Sequence, residues 1–227
     1  MDTMKDLFAE LDAIVGEGSA ARKAERMADA LATIEAEHGR ESLEYAAALN
    51  ELGSCCRAAG DYEQAAARFQ EAVEVLERVE GPKSPEYAMA VMNHAGALRV
   101  TGRLAESLAL FRRAEELFAA TLGEGSMEYL TAVNNEALCH QDSGDYEAAI
   151  DRHLQVCMAL ERLEEPSVAY ATSLYNTGFC FKQLGEEELG DVLIGKSIEV
   201  YRLLLPDGHE LLEHAKAAVS EGAAERP

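Results

Sequence analysis

The chain has no tryptophan and only 6% aromatic residues, so it offers no extensive surface for stacking nucleobases. It is also short of cations. Twenty Lys and Arg stand against 42 Asp and Glu in 227 residues, for a formal charge of −22. No dense Lys/Arg stripe is present, which excludes a phosphate-neutralising surface for nucleic acid and disfavours anionic membranes. Apolar runs such as Leu203-Leu204-Leu205 fall far short of the roughly 20 residues that span a bilayer. The opening Met1-Asp2-Thr3-Met4-Lys5-Asp6 carries acids at once, so no secretory signal is read and the expected address is the cytoplasm. Five cysteines (Cys55, Cys56, Cys139, Cys157, Cys180) are an odd number and do not read as a disulfide framework. Only 5 prolines and 17 glycines leave room for long uninterrupted elements, and 48% apolar residues exclude a disordered acidic tail.

What is present is a period. Gly18, Gly60, Gly102, Gly144 and Gly185 are spaced 42, 42, 42 and 41, and Tyr45, Tyr87, Tyr129 and Tyr170 are spaced 42, 42 and 41. Two residue types agreeing on one spacing identify a tandem array. Each unit reads as two helices. Leu43 to Ala58 is rich in Ala, Leu and Glu; after Ala59-Gly60-Asp61, the run from Tyr62 to Val79 sets Ala65, Phe69, Ala72 and Leu76 on one helical face. Gly60 and Gly144 suit the left-handed position that ends the first helix, and Asp61 and Asp145 then cap the second. Short breakers separate the units, offering Ser84, Ser126 and Ser167 as caps of the next helix.

Aligned unit by unit, the small residue of the first helix is Gly53, Ala95, Ala137 and Gly178. In the second helix the small position is Ala65, Ser107, Ala149 and Gly190, and the bulky one four residues later is Phe69, Phe111, His153 and Ile194. Small residues at close crossings and large ones filling the gaps are what stacked helical hairpins require. This pattern (Leu49, Gly53, Gly60, Tyr62, Ala65, Phe69, Ala72) resembles the tetratricopeptide repeat family, and its longer period, with Asn134-Asn135 in a first helix, is similar to kinesin light chains. The resemblance implies an all-α, right-handed superhelical solenoid of about five helix-turn-helix repeats. The units are expected at about 4–38, 43–79, 85–122, 127–164 and 168–205, followed by a capping helix at about 208–220 (Leu211, Leu212, Ala215, Val219) and a frayed tail at 221–227. The whole of 1–227 reads as one array.

The resemblance further implies that first helices line a concave groove. Over the 24 groove positions it assigns, Arg57, Arg99 and Lys182 oppose only Glu51 and Asp142, so the acidity lies elsewhere. Asn93, Asn135 and Asn176 share one register, with Asn50 and Asn134 beside it. An Asn offers both a donor and an acceptor, the complement of a peptide main chain. The ladder therefore either holds an extended segment or ties neighbouring units together. Met92, Tyr175 and Phe179, with Met89 and Leu138, supply adaptable apolar pockets. The row Arg57, Arg99 and Lys182 either pairs with nearby acids or receives acidic peptides. A clamp for a peptide's terminal carboxylate is not expected, because Asn50, Ser54 and Met89 stand where it wants Lys, Asn and Lys.

Other chemistries find little in the chain. Ala97 takes the register of Cys55, Cys139 and Cys180, so that site wants a small apolar side chain, and no spacing matches a zinc pattern. No phosphate loop, nucleophile elbow or His-Glu-x-x-His helix occurs. The expectation is a non-enzymatic adaptor without cofactor or metal that binds a peptide segment or partner helix. The alternatives are a self-associating homodimeric scaffold and a sensor of a short signalling peptide.

Overall fold

The protein is seen in a computed structural model that describes residues 11, 13, 16, 18–162 and 166–219. Ten helices and no strand occur among these residues: α1 (Ala20–His38), α2 (Leu43–Ala58), α3 (Tyr62–Val79), α4 (Pro85–Val100), α5 (Leu104–Thr121), α6 (Met127–Asp142), α7 (Tyr146–Glu161), α8 (Val168–Gln183), α9 (Glu187–Leu204) and α10 (Glu210–Ala218). The four complete hairpins fall where the period places them. Most of the expected first helix of unit 4–38 and the tail 221–227 lie outside the described residues, although Leu11 is described and buried.

The turn inside each hairpin follows from its sequence. Gly60 has φ +83°, its N–H bonds to the Arg57 carbonyl, and the Asp61 N–H reaches back to Cys56 O at 2.9 Å. That pair of bonds closes a helix with a left-handed residue, the conformation that costs glycine least. The same two bonds recur at Gly102, Gly144 and Gly185. The residue after the glycine then starts the next helix: Asp61 accepts from Gln64 N, and Asp145 accepts from Ala148 N. Ser84 and Ser167 cap α4 and α8 in the same way. A second glycine ruler, Gly39, Gly81 and Gly123, closes α1, α3 and α5 with φ of 80–89°.

Two compact units result, Met1–Glu128 and Tyr129–Pro227. In the first, α1 to α5 pack each against the next in chain order. Phe69, Phe111 and Phe118 are fully buried, and emptying such a site by truncation to Ala costs about 3–5 kcal/mol. Gly53 makes room for one of them: a Cβ there would lie 2.7 Å from the Phe69 ring. In the next hairpin the small position of the second helix is Ser107, whose hydroxyl donates to the Ala95 carbonyl at 2.8 Å and ties the crossing helices together.

In the second unit α7 to α10 pack successively, and α6 joins them through side-chain bonds to α7 and α8. Gly178 lies so close to the crossing backbone that a Cβ would meet Gly190 O at 2.7 Å. The terminal helix α10 covers the last apolar face with Leu212 and Ala215, which pack with Ala171, Ile194, Ile198 and Tyr201. Of the residues expected on that face, Leu211 instead stays 38% exposed.

Candidate functional site: the first-helix face

The candidate residues lie on the first helices of the hairpins, those of α2 and α4 in the first unit and those of α6 and α8 in the second. In the first unit Asn50 and Asn93, both half-buried, meet side chain to side chain. Asn93 Nδ2 donates to Asn50 Oδ1 at 2.9 Å, so this pair ties α2 to α4. The bond leaves Asn50 Nδ2 as a donor with no partner among the described residues. Met92, in the register of Asn50, is buried.

Beside Asn50 the first unit contains a pocket of about 310 Å³. Its walls are Ala46, Ala47, Leu76, Pro85, Met89, Phe118 and Leu122, with Asn50, Glu86 and Glu128 as the polar groups. Ala47, Asn50 and Met89 belong to the groove positions anticipated from the sequence, and Leu76 and Phe118 come from second helices. The volume is at the lower end of the range for ligand pockets, about 300–1,000 Å³, and suits a side chain better than a large cofactor.

In the second unit Asn134 turns inward. Its Oδ1 lies 3.0 Å from His153 Nδ1 and accepts from Ser173 Oγ at 3.4 Å. Asn135 and Asn176 behave differently. Asn135 is half-buried and Asn176 is 8% exposed, and no hydrogen bond joins either amide to another described residue. They stand 41 residues apart, one repeat from α6 to α8.

The remaining anticipated residues divide. Tyr175 packs against the cap, its ring centroid 5.3 Å from that of His214, and Phe179 packs against Ala149, Ile150 and Cys180. Lys182 Nζ donates to Asp191 Oδ1 and to Ala218 O, each at 2.8 Å, and lies 3.4 Å from Glu187. The bond it donates to Asp191 raises the Lys182 pKa above its ordinary value. Tyr175 and Lys182 are thus engaged with the terminal helices. Arg57 is exposed, its guanidinium 5.9 Å from the centroid of the Phe69 ring, and Arg99 is half-buried.

The sequence reading missed a buried polar layer in the second unit. Glu136 is fully buried, paired with Arg152 Nη2 at 2.5 Å and 3.6 Å from His140 Nε2. It also missed Glu86 and Glu128, although their spacing of 42 repeats the period and Glu44 continues it. Among the described residues no group of three or more His, Cys, Asp or Glu is placed to hold a metal, and no helix is long and apolar enough to cross a membrane.

Comparison with known proteins agrees with this geometry. The profile of the tetratricopeptide repeat matches residues 23–78 and 86–162. Among solved structures, a single-substitution variant of nearly identical TPR-like repeats of kinesin-light-chain type from Podosopora anserina superposes with a TM-score of 0.75 at 14% identity, covering 88% of this chain and 95% of that one. BtubC (BKLC) from P. vanneervenii superposes with a TM-score of 0.67 at 14% identity, covering 92% and 96%. No curated protein matches the sequence. At these identities the structural likeness concerns the fold alone.

Proposed function

The chain belongs to the tetratricopeptide repeat family, whose repeats mediate protein–protein interaction, and from that premise we propose that it is an adaptor that holds a peptide segment or partner helix on its first-helix face. The family and its structural neighbours are typically non-enzymatic scaffolds that bind proteins or peptides. The observation that carries the finer reading is the pair Asn135 and Asn176. An amide that the fold leaves unpaired keeps its donors and its acceptor for a ligand. Here two at one register, on first helices one repeat apart, have no described partner, while Asn50, Asn93 and Asn134 each take part in a hydrogen bond within the fold. Each spare amide presents one donor and one acceptor to a main chain laid along the face. An extended segment is thereby gripped by its backbone, and nearby apolar positions select its side chains.

The test is affinity capture from lysate of the source cells on wild-type protein and on Asn135→Ala/Asn176→Ala, with the fold of both checked by circular dichroism. A partner retained by wild type and lost by the folded variant is the expected result. Equal retention by both places the interface elsewhere and rejects the ladder as its basis.

A further inference from the structure

The pocket of the first unit deepens this reading and rests on it. Its walls are apolar, and its charged groups are Glu86 and Glu128. Each is the second residue of its helix, α4 and α6, where the helix dipole favours a negative charge without any counter-ion. Neither carboxylate has an ion-pair or hydrogen-bond partner among the described residues, and no Lys or Arg lines the pocket. The wall therefore carries two uncompensated negative charges beside a surface that favours burial of an apolar group.

We propose that this pocket accepts an aliphatic or aromatic side chain of a partner segment that carries Lys or Arg next to it, the cation meeting Glu86 and Glu128. Charge complementarity decides among occupants. An acidic segment is repelled by the two carboxylates, on a chain already at −22. A neutral apolar segment gains only the burial term, about 25 cal/mol per Å² of apolar surface. A basic, apolar segment gains burial and the pairing, and the field of the whole chain speeds its approach in a salt-dependent way. Asn50 completes the site, since its Nδ2 is free to donate to a main-chain carbonyl of the segment while Asn93 fixes the amide's orientation.

The test uses the full chain and short acetylated, fluorescently labelled peptides in three sets. One has a central Leu or Phe flanked by Lys, a second has Glu for each Lys, and a third has Ala for the central residue. Anisotropy titration is run on wild type, on Glu86→Gln/Glu128→Gln and on Asn135→Ala/Asn176→Ala, and Met methyl resonances report the location. The Lys-flanked set is expected to bind best, to weaken at least tenfold on Glu86→Gln/Glu128→Gln and in high salt, and to shift the Met89 methyl signal while leaving exposed Met158 unmoved. Equal or tighter binding of the Glu-flanked set overturns the pairing. If the Lys-flanked set binds but is weakened only by Asn135→Ala/Asn176→Ala, with Met89 unmoved, the pocket is overturned and the adaptor reading stands. If no set binds, the pocket is overturned, and the lysate capture judges the adaptor reading on its own.

Discussion

His153 occupies the place that Phe69 and Phe111 fill in the two preceding hairpins, and the exchange has a consequence. The ring is fully buried, Nδ1 faces Asn134, and Nε2 has no hydrogen-bond partner among the described residues. Burial penalises the imidazolium and pushes its pKa down to about 4 from 6.5. The unfolded chain then takes up this proton first as pH falls. Stability is lost progressively from about pH 6.5 to about pH 4, by roughly 3 kcal/mol for this group. Urea unfolding at neutral and mildly acidic pH measures the loss. His153→Phe, the residue its own repeats use, is expected to flatten that part of the curve, and an unchanged pH slope assigns the effect to another group. Burial likewise pushes the Cys157 thiol up to about 12 and those of Cys55 and Cys180 to about 11. These cysteines pack as small apolar side chains rather than react.

At the scale of the helix, glycine carries two opposite meanings. Gly178 is required by packing, because a Cβ would strike the Gly190 carbonyl, whereas nothing lies within 4 Å of a Cβ at Gly96. Gly178→Ala is expected to destabilise by about 1–3 kcal/mol and Gly96→Ala, inside α4, to stabilise by about 0.5–1 kcal/mol. Denaturant midpoints of the two variants check both signs together. The small and large positions, the capping Ser and Asp residues and the hairpin boundaries were legible because each is set by local chemistry repeated every 42 residues. The repeated tyrosine has such a reason too: Tyr45 donates its hydroxyl to Glu71, and Tyr129 accepts from Gln155, 26 residues on in both cases. The site was legible only in part. Register places Asn50, Asn93, Asn134, Asn135 and Asn176 on comparable helix positions, but which amides are satisfied depends on neighbours such as His153 and Ser173. His153 comes from the partner helix of the same hairpin and Ser173 from the next hairpin, and no local pattern announces either. Lys182 is the clearest case, since its partners Asp191 and Ala218 belong to α9 and the residue that ends α10.

For the molecule as a whole, the period gives each described hairpin a first helix on which the candidate binding positions recur. The account rests on that recurrence: both helices of a hairpin build the core, and the first also carries the side chains proposed to bind. Asn135 lies on the first helix α6 and Met158 on the second helix α7 of one hairpin, Met158 being 55% exposed. The direct measurement is site-specific photo-crosslinking in full-length protein, with a photoreactive amino acid placed at Asn135 or at Met158 and a captured partner present. The account predicts covalent adducts from position 135 and none from 158. Adducts from 158 alone would contradict it and move the interface to the second helices.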